Sequence, residues 1–331
     1  MALPELTVDV PPKPWTGRFD GDGGEHRRWW QVVSRYAPGD PSSTSLSSAG
    51  PVGPLPGQAQ RPAVILGFAS DEGVHRNKGR TGAALAPAAI RAALGPLAFH
   101  LDRSVSDAGD VVVSDGDMEA GQARAGQAIA AMLDAGRLTV VLGGGHETAY
   151  ASYLGVAGSE AVRGGQRLGV LNLDAHFDLR DEPRPSSGTP FLQMARSEAA
   201  AGRELRYAVV GISEPNNTRA LFETAERLGV QYVLDEDCTS GRVEAFVTQF
   251  LDSVDVLYLT IDLDVLPASV APGVSAPAAY GVPLPVINAV CRQVAESGKL
   301  LHLDVAELNP GFDIDGRTAK VAARLVNTLL R

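Results

Sequence analysis

Short runs rich in Val, Leu and Ile recur along most of this chain, each followed by a stretch whose apolar residues keep helical spacing. The runs lie at 63–68, 138–142, 168–173, 207–212, 230–234, 256–261 and 300–305, with a weaker one at 97–101. The helical stretches lie at 87–94, 118–135, 147–157, 191–201, 218–228, 242–251, 286–297 and 317–330. Apolar runs without polar alternation suit strands buried on both faces. Strand and helix alternating about eight times predicts a parallel sheet with helices on both sides. A closed barrel shares that alternation, but the ordering favours an open sheet: a three-layer, doubly wound α/β fold with eight mostly parallel strands. No sequence repeat accompanies the alternation, which argues against a solenoid. In barrel and open sheet alike, ligands bind at the carboxyl ends of the strands.

Composition divides the chain near its start. Residues 37–62 hold six Pro, four Gly and five Ser, too little apolar surface to offset the entropy of ordering them. The segment 37–61 therefore reads as a long loop. It separates residues 1–36, with Trp15, Trp29 and Trp30, from a single domain at 62–331. Tryptophans are costly to leave wet, so the first segment is expected to dock. Acidic residues outnumber basic ones, 39 to 29, for a formal net charge of −10, which argues against a phosphate-tracking nucleic-acid binder. Two cysteines, Cys238 and Cys291, make no disulfide scaffold and suit a reducing compartment. Neither a signal-like start nor an apolar run of ~18 residues is seen, so no membrane partner is expected and the location expected is cytoplasmic.

Chemistry collects at four predicted strand exits. The run 138–142 leads into Gly143-Gly144-Gly145-His146-Glu147-Thr148, and 168–173 into Asp174-Ala175-His176-Phe177-Asp178-Leu179-Arg180. The run 256–261 leads into Asp262-Leu263-Asp264, and 300–305 into Ala306-Glu307-Leu308-Asn309-Pro310. On an extended chain residues i, i+2 and i+4 point to one side, so Asp174, His176 and Asp178 converge. Carboxylates that close repel unless a cation lies between them or one stays protonated. Asp262 and Asp264 repeat the arrangement, and His146 brings the set to four carboxylates and two imidazoles. Six such ligands exceed one ordinary site and match two metals sharing carboxylate bridges. Oxygen-rich ligation with one imidazole per metal and no thiolate suits Mn²⁺ better than structural Zn²⁺. Each motif alone is commonly a cap, a solvated turn or a packed histidine. Their shared place at strand ends makes them a site. His26, His75, His100 and His302 have no acidic partners in register, and His302, inside a strand, reads as a core histidine.

This set resembles the ureohydrolase family, which includes arginase and agmatinase and binds a binuclear manganese centre. The Gly-Gly-Gly-His-Glu form of the first motif is most similar to the formimidoylglutamase branch. So are Arg76-Asn77-Lys78-Gly79-Arg80-Thr81-Gly82-Ala83, Ser187-Gly188-Thr189-Pro190-Phe191, Asn217-Thr218-Arg219-Ala220-Leu221-Phe222 and the 303–310 segment around Glu307. The N-terminal Trp15-Thr16-Gly17-Arg18 and Arg28-Trp29-Trp30 look similar too. The resemblance spans nearly the whole chain outside the Pro/Ser-rich loop. It implies an arginase-like fold, a homo-oligomer and two Mn²⁺ per subunit. His146, Asp174, Asp178 and Asp262 would hold one ion. His176, Asp174, Asp262 and Asp264 would hold the other, with Asp174 and Asp262 bridging. The implied reaction hydrolyses N-formimidoyl-L-glutamate to L-glutamate and formamide, with Asp178 and Glu307 as catalytic carboxylates. The alternatives are a ureohydrolase that releases urea from agmatine or a guanidino acid, and a metal-stabilised binding protein without turnover.

One departure narrows the choice. In arginase and agmatinase a histidine assigned to proton transfer occupies the segment that here reads Ser186-Ser187-Gly188-Thr189-Pro190-Phe191. This chain has no histidine between His176 and His302. That weakens a reading as arginase or agmatinase, and a carboxylate or water must protonate the leaving group. The small-molecule amidine expected as substrate carries two carboxylates. Arg180, Arg76 and Arg80, with Ser187 and Asn217, are the residues expected to contact it, arginine being suited to bidentate carboxylate recognition.

Overall fold

The computed structural model describes residues 8–38 and 60–331, so most of the expected 37–61 loop lies outside the described residues. The strands are β1 (Ser34–Arg35), β2 (Ala63–Ala69), β3 (Val105–Val112), β4 (Leu138–Leu142), β5 (Leu168–Leu173), β6 (Arg206–Ile212), β7 (Gln231–Leu234), β8 (Val256–Asp262) and β9 (Leu300–Ala306). The helices are α1 (Trp29–Val32), α2 (Glu72–Arg76), α3 (Ala86–Leu94), α4 (Met118–Asp134), α5 (Thr148–Ala157), α6 (Glu160–Arg163), α7 (Pro190–Ala200), α8 (Arg219–Arg227), α9 (Ser240–Asp252), α10 (Leu284–Glu296) and α11 (Arg317–Leu329). The strands form one open sheet in the order β1-β3-β2-β4-β9-β8-β5-β6-β7, and every pairing is parallel.

Strand residues alternate between two cores because successive side chains point to opposite faces. Ile65, Val140, Leu171 and Leu259 face one core, covered by α3, α9, α10 and α11. Val64, Val141, Val170 and Tyr258 face the other, covered by α4, α5, α7 and α8. Local chemistry starts the helices: α3 and α7 carry proline in their first turn, and the Asp117 carboxylate caps α4 by accepting from Ala120 N–H. Glycines let α4 and α5 pack closely. A Cβ at Gly155 would lie 2.5 Å from Ile129, and one at Gly126 would lie 2.8 Å from Leu154.

Two differences from the expected sheet have clear causes. The weak run 97–101 forms only an isolated bridge at Ala98, and the strand in its place is β3. Its sequence, VSDAGDVV, reads as a loop because Asp107 and Asp110 break the apolar run. Arg91 donates to both carboxylates, and Trp15 Nε1 donates to Asp107 at 2.8 Å, so the strand can be buried. The second difference is β1, which adds a ninth strand beside β3. Residues 8–38 lie along this edge. Val10 bridges to Asp110, and Trp29 is fully buried, stacked on Trp15 at 6.3 Å and edge-on to Phe99 at 5.5 Å. Trp29 Nε1 donates to Asn327 on α11. No described helix is long and apolar enough to cross a membrane.

The strand order matters most for the site. β4, β9, β8 and β5 are consecutive neighbours at the centre of the sheet. Their carboxyl ends are the four exits with unusual side chains, and the fold brings them to one place.

Candidate metal centre

His146 follows a turn that only glycine can make. A Cβ on Gly144 would lie 1.7 Å from the Ser70 carbonyl oxygen, and one on Gly145 would lie 2.2 Å from Glu147 Oε2. The turn delivers His146 Nδ1 to three carboxylates: 3.0 Å from Asp178 Oδ2 and 3.2 Å from Asp174 Oδ2 and Asp262 Oδ2. His176 Nδ1 lies 3.1 Å from Asp264 Oδ2 and 3.5 Å from Asp174 Oδ1. Two groups with metal-ligand geometry result: His146, Asp174, Asp178 and Asp262, and then Asp174, His176 and Asp264. Asp174 belongs to both, and Asp262 belongs to the first.

The convergence of Asp174, His176 and Asp178 does not come from strand alternation, contrary to expectation. β5 ends at Leu173, the chain bends at 175–176, and Asp178 takes a left-handed φ of 48°. The bend is held by His176 N–H donating to Asp174 Oδ1 at 2.7 Å. It sends His176 to one group and Asp178 to the other. Glu307, also left-handed at φ 70°, accepts from His146 N–H at 2.8 Å. A non-glycine residue there carries strain of about 1–3 kcal/mol, which the surrounding contacts must hold.

A hydrogen-bonded chain behind His146 sets its tautomer. Thr260 Oγ1 donates to Asp304 Oδ1 at 2.6 Å, and the Tyr258 hydroxyl donates to Asp304 Oδ2 at 2.5 Å. The single hydroxyl proton of Thr260 is thereby engaged, so its oxygen accepts from His146 Nε2–H at 3.0 Å. Nδ1 is left with a lone pair facing three carboxylate oxygens. That arrangement is repulsive unless a cation or a proton sits among them, and it is the orientation of a metal-ligating imidazole with a polar partner behind it. The β8–β9 register pairs Thr260 with Asp304 and Tyr258 with His302.

Without a metal, a proton on Nδ1 takes the place of that cation. Burial opposes a proton on His146, but hydrogen bonds to Asp174, Asp178 and Asp262 outweigh it and hold the imidazole well above its ordinary value. Burial, then the charges of Asp264 and Asp174, push Asp262 well above the carboxylate range. Glu307 is pushed up to about 8 by burial and the nearby Glu147 carboxylate. Four carboxylates, three of them buried and Asp178 partly so, against two imidazoles make a cluster short of positive charge, and divalent cations fit that donor set.

The centre floors a cavity of about 310 Å³, lined by His146, His176, Asp178, Asp262, Asp264 and Glu307. Arg180, Arg80 and Ser187 line its walls, with Asn77, Lys78 and Ser275, which the sequence reading gave no role. Two residues expected at the substrate are placed elsewhere. The Arg76 side chain is buried between Glu72 and Glu119 and donates to the carbonyls of Pro185 and Gly116, so it does not line the cavity. Asn217 accepts from Phe177 N–H and donates to the carbonyls of Ala175 and Ser213, bracing the ligand loop from behind. Arg80 lines the cavity, yet its guanidinium donates to the Ser275 and Val274 carbonyls and stacks on Phe312 at 3.9 Å. His302 is fully buried, and burial alone pushes it down to about 3. Thr260 and Asp304 were also missed; Thr260 shares a strand face with Asp262 two positions on, a spacing that could have found it, whereas Asp304 is recognised only through its pairing with Thr260 across β8 and β9.

The sequence profile of the arginase family matches residues 61–331. A formimidoylglutamase from Nocardia farcinica is 56% identical over 321 residues, covering 97% of this chain and 96% of that protein. One from Rhodococcus jostii is 54% identical over 324 residues, with 97% and 96% covered. The crystal structure of Trypanosoma cruzi formiminoglutamase with Mn²⁺ superposes with a TM-score of 0.74 at 25% identity, over 84% of this chain and 95% of that one. Arginase from Bacillus subtilis shares the fold, with a TM-score of 0.70 at 23% identity over 82% and 98%. With the family profile spanning the entire sheet from β2 onward, the chain belongs to the arginase family.

Proposed function

We propose that this chain, with two Mn²⁺ per subunit, converts N-formimidoyl-L-glutamate and water to L-glutamate and formamide in histidine degradation. The observation that carries the reading is 54–56% identity to formimidoylglutamases across 97% of the chain. His146, Asp174, Asp178 and Asp262 would hold one ion and His176, Asp174, Asp262 and Asp264 the other. When bound, the pair supplies a water that ionises near neutral pH and electrostatic stabilisation of the tetrahedral carbon.

The chain's own residues do the rest. Glu307 holds one carboxylate oxygen on the His146 N–H and leaves the other for an amidine N–H of the substrate. Asp178, at the cavity wall, accepts the proton released as water adds to the amidine carbon. The C–N bond to the glutamate nitrogen then breaks. That nitrogen takes its proton from a carboxylate or from water, since no imidazole lies in the 186–191 segment. The water oxygen becomes the formamide carbonyl. Arg180 and Ser187 contact the substrate's carboxylates from the wall. A cytoplasmic homo-oligomer completes the proposal.

The test is product analysis with Mn²⁺-loaded protein and a small substrate panel. Formamide and glutamate should appear from N-formimidoyl-L-glutamate, and urea should be absent from reactions with agmatine or 4-guanidinobutyrate. Urea release without formamide would replace this reading with a guanidine-cleaving one.

A further inference from the structure

Arginines of this chain differ in whether a carboxylate, as at Arg76 and Arg91, or a neutral group, as at Arg80 and Arg180, accepts their hydrogen bonds. Arg76 is matched by Glu72 and Glu119, and Arg91 by Asp107 and Asp110. Both are held by carboxylates, so their charge is largely cancelled. Arg180, on the cavity wall, is held differently. Its Nη1 donates to Asn77 Oδ1 at 2.8 Å, and Asn77 Nδ2 donates to Ser187 Oγ at 3.1 Å. The Arg180 donor settles which end of the amide faces it, because only the carbonyl oxygen can accept. A carboxylate oxygen of Glu182 lies 3.9 Å away, beyond hydrogen-bond distance, and Glu182 itself accepts from Ser186 Oγ at 2.8 Å.

The three residues come from three segments: Asn77 caps the C-terminus of α2, Arg180 follows the ligand loop, and Ser187 precedes α7. All three line the cavity together with His146, Asp178 and Glu307. The contact is tightly built. Arg180 N–H donates to the Gly188 carbonyl at 3.0 Å, and a Cβ on Gly188 would come within 3.0 Å of Arg180 Cδ and 3.4 Å of Asn77 Nδ2. The backbone turns away straight after Asn77, since Lys78 takes a left-handed φ of 60°. A neutral amide thus orients the guanidinium and, with the Glu182 carboxylate no nearer than 3.9 Å, leaves much of its positive charge and most of its five N–H donors for an anion.

We propose that Asn77 is a positioning residue for substrate specificity: it holds Arg180 through a neutral amide rather than a hydrogen-bonded carboxylate, so that the guanidinium binds a carboxylate of the substrate. This deepens the proposed function and rests on the cavity being the substrate site. An acid at position 77 would keep the shape and cancel the charge. A charge-assisted bidentate contact is worth enough that its loss shows as tenfold or more in affinity.

The test uses Mn²⁺-loaded full-length protein and three variants: Asn77→Asp, Arg180→Ala and the double variant. Asn77→Asp should raise KM for N-formimidoyl-L-glutamate tenfold or more, with kcat falling much less than KM rises. Arg180→Ala should do the same, and the double variant should be no worse than Arg180→Ala alone, because both act on one contact. Calorimetric binding of L-glutamate to the same proteins gives a readout that needs no turnover, and Asn77→Asp should weaken it by a similar factor. If the wild type binds L-glutamate but releases no formamide, the proposed reaction fails while the Asn77 comparison still stands. Unchanged KM and glutamate affinity in Asn77→Asp, or fully additive losses in the double variant, would overturn the proposal.

Discussion

Replacing Thr260 with valine tests the chain of hydrogen bonds behind His146. Valine matches threonine in shape but lacks the hydroxyl that accepts from His146 Nε2 and donates to Asp304 Oδ1. His146 is 1% exposed and Asp304 is 0% exposed, so water cannot replace either partner. Each buried polar group left unmatched costs about 1–3 kcal/mol, so the two together place about 2–6 kcal/mol at risk. The cost divides between folding and metal binding. Losing the outer partner of a ligating histidine typically lowers metal affinity 10–100-fold, which is about 1.4–2.7 kcal/mol. The assay is Mn²⁺ titration of metal-stripped protein by calorimetry, with free Mn²⁺ followed by paramagnetic resonance. Thr260→Val should bind the ion that His146 would hold at least tenfold less tightly. Thr260→Ser, which restores the hydroxyl, should return to within about threefold of wild type on the same scale. Wild-type affinity in Thr260→Val, whatever happens to its melting temperature, would refute the reasoning.

Two further outcomes follow from the geometry. Gly144→Ala would drive a methyl group into the Ser70 carbonyl, at 1.7 Å before relaxation, and separate the β2 and β4 exits. It should cost at least about 3 kcal/mol in denaturant unfolding and reduce Mn²⁺ stoichiometry; a loss under about 1 kcal/mol would show that the turn is not constrained as described. His302 has its folded value pushed down to about 3, against about 6.5 in the unfolded chain, so the unfolded state takes up a proton first as pH falls. Its contribution is intact above pH ~6.5 and fades toward pH ~3, amounting to about 2 kcal/mol lost between pH 7 and pH 5. His302→Gln should lack that part of the pH slope in metal-free protein, and equal slopes in the two proteins would reject the assignment.

How far the site could be read in advance depended on the residue. The strands β2, β4, β5, β8 and β9 are almost wholly buried and mostly apolar in sequence, so burial was largely written into their composition. β3 hid because its buried acids look like a loop until Arg91 and Trp15 are placed beside them, 16 and 92 residues away from Asp107. The clustering of the six candidate ligand residues was legible because Asp and His at strand exits have few other reasons to gather. The bend that sorts His176 and Asp178 into different groups was not, since it depends on a backbone turn held by Asp174.

The arginines mark the boundary between the two kinds of information. Arg76, Arg80 and Arg180 have the same side chain and all follow strand exits, yet one is buried in an ion pair, one is tied to backbone carbonyls, and one faces the cavity. The sequence by itself determined the alternation, the parallel sheet and the chemical type of the centre. Those depend on residue type and on spacing over a few positions. Only the tertiary structure decided which arginine is held by carboxylates and which by neutral groups, what stands behind His146 Nε2 and which carboxylates share a group. Such choices turn on distances of about 3 Å between segments far apart in the chain, where hydrogen bonds and charge pairing are decided.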